Sequence, residues 1–129
     1  MELEDIKRAA LKQRRFEVVA GPATFALLVP TKLESTLAYT GATRGGALEG
    51  VAMLRFQRDL VLQAVVGWSG VTLGHVLGEV PEAAEALAWE PGAVALVLDA
   101  NPAWEEAATV ALVARMTERR AAWDTAAKN

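Results

Sequence analysis

Cysteine is absent from this 129-residue chain, which excludes disulfides, a thiol nucleophile and thiolate metal sites. Histidine occurs once, at His75, so no multi-histidine metal motif can form. No apolar run approaches the 18 or so residues of a membrane span. The opening Met1-Glu2-Leu3-Glu4-Asp5 is acidic and lacks the pattern of a signal peptide, so a cytoplasmic protein is expected. Basic residues are few as well, 13 against 16 acids, and the net charge of −3 does not indicate nucleic-acid binding. Low charge (22%) with 53% hydrophobic residues excludes a disordered tail. The length predicts a single domain over residues 1–129, with residues 125–129 frayed.

Charge is unevenly distributed. No Lys or Arg occurs between Asp59 and Ala114, a stretch holding Glu79, Glu82, Glu85, Glu90, Asp99, Glu105 and Glu106. Basic residues cluster at the N-terminal end (Lys7, Arg8, Lys12, Arg14, Arg15), in the middle (Arg44, Arg55, Arg58) and near the C-terminus (Arg115, Arg119, Arg120). The polarity suits pairing between the ends of the molecule or between copies of it.

The pattern predicts a mainly α (α+β) fold, five to six helices with one N-terminal β-hairpin. Leu3, Ile6, Ala10 and Leu11 mark a helix over 2–14, acidic first and basic last. Phe16–Val19 and Thr24–Val29 flank Gly21-Pro22 as two strands. Thr31 and Glu34 form a capping box that opens a helix to about Tyr39, and a flexible connection follows over 40–46. A central helix is expected over 48–66, a short acidic helix over 81–88, another over 91–98, and a last one from Asn101-Pro102 to about Asp124.

The central helix has one narrow polar stripe, Arg55, Arg58, Asp59 and Gln63, in a wide apolar arc. Either the domain surrounds it or a partner covers part of it. On the second reading Val51, Leu54, Phe56 and Leu62 border a groove and Arg55 and Arg58 rim it. Of the four tryptophans, Trp68, Trp89 and Trp104 stand at element boundaries as expected core plugs. Trp104 and Trp123 on the last helix are the alternative partner anchors.

No catalytic constellation is convincing. Gly67-Trp68-Ser69-Gly70-Val71 is one residue from a nucleophile elbow, but a helix is expected before Ser69 and Val71 replaces the second glycine. A hydrolase would have to use Ser69, His75 and Asp99. His75 and Glu79 have i, i+4 spacing but lack further ligands, so no metal is expected. The connection over 40–46 has no phosphate-loop Gly-Lys-Ser/Thr, and no cofactor is expected.

Three segments carry a resemblance. They are Leu28-Val29-Pro30-Thr31-Lys32-Leu33-Glu34, the end of the central helix through Val65-Val66-Gly67-Trp68-Ser69-Gly70-Val71, and the stretch from Trp89-Glu90-Pro91-Gly92 through Leu98-Asp99-Ala100-Asn101-Pro102. With a final helix, over residues 16–124, the chain resembles the tail assembly chaperones of long-tailed bacteriophages and prophages. It departs from them between Trp68 and Trp89, where relatives tend to have a shorter polar turn. The resemblance implies a non-enzymatic protein that self-associates as a homo-oligomer in the bacterial host cytoplasm. It implies binding to the tape measure protein, which such chaperones keep soluble while the tail tube assembles. Contact with the tail tube protein would come through a longer, frameshifted form. The same features would also suit a structural tail-completion or connector component of the virion. Neither role involves nucleic acid or a membrane.

Overall fold

The computed structural model describes residues 1–128, the side chains of Trp123 and Lys128 excepted. It is an α+β fold of six α-helices with a three-stranded antiparallel sheet. Helix α1 (Leu3–Arg14) runs directly into β1 (Arg15–Ala20), which turns at Gly21-Pro22 into β2 (Ala23–Leu28). Helices α2 (Lys32–Thr43) and α3 (Val51–Ala64) follow, then β3 (Val65–Ser69) and a single turn, α4 (Gly74–Leu77). A 3-10 turn (Pro91–Ala93) leads into α5 (Val94–Ala100), and α6 (Pro102–Lys128) closes the chain.

The hairpin register follows from alternation. Phe16, Val18 and Ala20 face inward from β1 and Ala23, Phe25 and Leu27 from β2, while Arg15, Glu17 and Val19 face out. A lone hairpin would be marginal in water. The third strand resolves this, pairing Phe25 with Trp68 and Leu27 with Val65 across a bulge at Val66. The helix expected over 48–66 is therefore shorter than its apolar run. Its β-branched end, Val65-Val66, is drawn into the sheet, and the helix stops at Ala64.

Gly70 makes the exit from β3 possible. Its φ is +76°, and a Cβ there would lie 2.3 Å from the Pro22 carbonyl oxygen. Beyond it, residues 81–88 do not form the expected helix. They fold back on residues 71–74 through bonds from the Leu73 N–H to Glu85 O, the Gly74 N–H to Ala83 O and the Leu87 N–H to Val71 O. These pairings use backbone groups that a helix would need for itself. The helical turn falls instead on Gly74–Leu77.

The remaining boundaries shift modestly. Helix α2 continues to Thr43, through residues expected to be a flexible connection, and ends at Arg44 in a left-handed conformation. Pro102 opens α6 as expected, but Asn101 does not cap with its side chain: its amide donates to the His75 and Val97 carbonyls. Helix α6 extends to Lys128, past the end expected near Asp124, and Asn129 lies outside the described residues.

The core lies between the inner sheet face and α3, α5 and α6. Phe25 and Leu27 meet Leu60, Val61, Val97, Leu98, Trp104 and Leu112 there. Trp104, only 9% exposed, stands edge-on to Phe25 at 6.0 Å and to His75 at 5.0 Å.

The Thr31–Glu34 capping box forms as expected, and Arg14 reaches its carboxylate at 2.7 Å. The Thr31 N–H holds the Glu34 carboxyl below its ordinary pKa; partial burial opposes this, and the Thr31 hydroxyl and Arg14 support it. A depressed carboxylate pKa adds stability above the unfolded-state value of about 4.3, lost as pH falls through the lower folded value. Glu34→Gln should therefore flatten the acid limb of a melting-temperature profile below about pH 5. An unchanged acid limb would remove Glu34 from the account.

Candidate functional site

Helix α3 carries the candidate surface. Leu60, Val61 and Ala64 turn into the core. Val51, Leu54, Arg55, Arg58 and Leu62 fall at i, i+3, i+4, i+7 and i+11, a single row along the opposite flank. That row changes character along its length. At its start Val51 is 71% exposed and Leu54 is 66% exposed, with Arg55 also in solvent. Further along, Leu62 is half-buried and packs against the core.

Arg58 marks the change. Its guanidinium donates to Asp99 on α5 and to Glu105 on α6, both at 2.6 Å. Burial alone would depress its pKa, but hydrogen bonding and charge from Glu105, then Asp99, more than offset this and raise it. Arg58 is thus spent as a clasp between three helices and is not the free groove-rim charge expected. Removing it should matter for stability. Exposed pairs are worth roughly 0–1 kcal/mol and breaking buried ones costs about 3–5. With its side chain 24% exposed, Arg58→Met should cost about 1–3 kcal/mol in urea unfolding, less in high salt. Arg58→Lys should recover only part of that loss, because an ammonium cannot fork between two carboxylates.

Other aliphatic side chains stand outward nearby in the fold. Leu33 and Leu37 are exposed on α2, the helix packed on α3. Tyr39 on α2 meets Phe56 on α3 edge-on at 6.0 Å. Phe56 is accordingly half-buried between helices rather than open to a partner. Leu96 is exposed on α5, one turn before Asp99.

The tryptophans divide. Trp68 is half-buried, edge-on to Phe25, with its indole N–H donating to the Leu87 carbonyl at 2.8 Å. Trp89 packs against the core. Trp104 is a core residue beneath the hairpin turn, which corrects its expected role as a partner anchor. The expectation for Trp123 concerns a side chain outside the described ones.

The suspected catalytic residues have other partners. Ser69 ends β3 in solvent. The Nδ1 of His75 accepts from the Thr72 N–H at 2.9 Å, and Asp99 is held by Arg58. Among the described residues no hydrogen bond joins any two of Ser69, His75 and Asp99. Among the same residues no three His, Asp or Glu are grouped as metal ligands, and no helix is long and apolar enough to cross a membrane.

The sequence singled out Val51, Leu54 and Arg55 on α3, and all three stand exposed in the fold. It missed Leu33 and Leu37, whose i, i+4 spacing on the capped helix was a readable signal. A scan against protein-family models and searches of curated proteins and of solved structures found no match to this chain.

Proposed function

We propose that the chain is a phage or prophage tail assembly chaperone. It binds the tape measure protein and keeps it soluble while the tail tube assembles, as a homo-oligomer in the bacterial cytoplasm, without catalysis or a cofactor. A longer form would carry the contact to the tail tube protein. The observation that supports this best is the aliphatic surface left open on α3, Val51 and Leu54 on one flank. Exposed aliphatic patches on small domains commonly serve as docking surfaces, and a groove between helices accepts an amphipathic client helix through spaced aliphatic anchors. Arg55, in solvent beside that row, would orient the client rather than add affinity.

The test is co-expression with segments of a tape measure protein from a long-tailed phage or prophage. Those segments should be insoluble alone and soluble with the chain, and the chain itself should be absent from finished particles. Segments that stay insoluble would overturn the proposal. Recovery of the chain as a stoichiometric part of finished tails would replace it with the structural-component role.

A further inference from the structure

Among the exposed charges, which also include Lys32, Arg44, Arg55 and Arg119, two clusters of opposite sign stand apart. Of the N-terminal cations, Lys7 and Arg8 face Glu4 and Asp5 on their own helix, and Arg14 is held by Glu34. Lys12 and Arg15 have no ion pair among the described residues. They border a cleft of about 380 Å³ between α1 and the sheet, whose other walls are Leu11, Leu28 and Val66. Helix α1 buries no side chain, and Leu3 and Ile6 extend the apolar surface along it. The cleft is therefore apolar, cationic at its rim and free of acidic lining. Beyond Arg15, Glu17 faces out from the same strand.

A cluster of acids lies elsewhere. Arg58 takes up Asp99 and Glu105; Asp59 on α3 and Glu106 on α6 are exposed and unpaired among the described residues, as are the clustered Glu79, Glu82, Glu85 and Glu90. Beside them Leu77 stands 61% exposed. The bonds between residues 71–74 and 83–87 pin this segment beyond the end of β3.

Strand register sets the two features apart. Arg15 pairs with Leu28 at one end of the sheet, while Ala20 pairs with Ala23 and Thr24 with Ser69 at the other. The steps from Arg15 to Ala20, at about 3.3 Å each, put roughly 16 Å between those ends, beyond the Debye length of about 8–10 Å in ordinary salt. Among the described residues no ion pair joins Lys12 or Arg15 to any acid of the segment.

We propose that copies of this chain associate head to tail, the Leu77–Glu90 segment of one copy seated in the Lys12/Arg15 cleft of the next. Leu77 meets the aliphatic walls, and the glutamates meet the two cations. Because the mating surfaces differ, each added copy leaves one cleft and one acidic segment open, so the assembly grows as a ring or an open filament rather than closing as a two-fold dimer. This deepens the oligomeric part of the proposed function and involves no client, so its failure would leave client binding untouched.

A charge-swap experiment by sedimentation tests it at low ionic strength. Wild type should exceed the 13.7 kDa monomer and fall toward it as salt is raised. Lys12→Glu with Arg15→Glu should give monomer, as should Glu82→Lys with Glu85→Lys in a separate chain. All four positions are exposed and unpaired, so circular dichroism should match wild type for both. Mixing the two variants should restore the larger species, because every cleft then finds a segment of opposite charge. Wild type that stays monomeric, either variant assembling like wild type, or two folded monomeric variants that do not combine would each overturn the proposal.

Discussion

Trp104→Ala should lower the unfolding free energy by about 3–5 kcal/mol, the range for a large aromatic removed from a core. The indole fills the space under the β1–β2 turn, so close that a Cβ on Gly21 would stand 3.0 Å from its Nε1. It also holds the edge-on contacts to Phe25 and His75, tying α6 to the sheet and to α4. Both the turn and the first turn of α6 are anchored elsewhere, by strand pairing and by the Asn101 carbonyl, so neither can collapse into the space. The melting temperature should fall by roughly 10–20 °C for a chain of this size. A loss under about 1 kcal/mol would return Trp104 to the surface and to the docking residues.

Gly70→Ala comes next in expected effect. At φ +76° an alanine is strained, which alone costs about 1–3 kcal/mol. The added Cβ would also stand 2.3 Å from the Pro22 carbonyl oxygen. Backbone rather than a flexible side chain must then move, and overpacking of that kind costs about a further 1–3 kcal/mol. The expected total is about 2–5 kcal/mol by denaturant unfolding. Since the turn and the β3 exit separate together, tryptophan emission from Trp68 should report it. A variant as stable as wild type would mean that β3 does not cross the hairpin turn as described.

Local chemistry made some of this fold readable in advance. The Thr31–Glu34 capping box, the Gly21-Pro22 hairpin turn and the Pro102 helix start each carry their signal within a few residues. Val65-Val66 extends an apolar helical run without a break, and its strand identity comes from pairing with β2, nearly 40 residues earlier in the chain. Residues 81–88 look helical by composition and lose that form to the backbone of 71–74, a contact that no local pattern announces.

The candidate surface was legible to a similar degree. A wide apolar arc with a thin polar stripe says that α3 has more aliphatic surface than a small domain can cover, and Val51 and Leu54 are where the cover ends. It cannot say which charges in the stripe are free. Arg55 is, whereas Arg58 finds Asp99 and Glu105 at separations of 41 and 47 residues. Trp104 is a similar case, because a tryptophan beside a proline suits both a core plug and an anchor.

The double variant Val51→Asp, Leu54→Asp is the direct test of the proposal that these two side chains hold the client. Both positions lie in the first turn of α3, where carboxylates favour the helix, and both are exposed, so the melting transition should match that of wild type. Each aliphatic side chain buried against a client is worth about 1.5–3 kcal/mol, so losing both should weaken binding at least about a hundredfold. The measurement is the soluble fraction of a tape-measure segment at a fixed concentration of this chain, read beside the melting curve. The account predicts an unchanged melt and a segment that precipitates as it does alone; a folded variant that keeps the segment in solution as well as wild type does would contradict it.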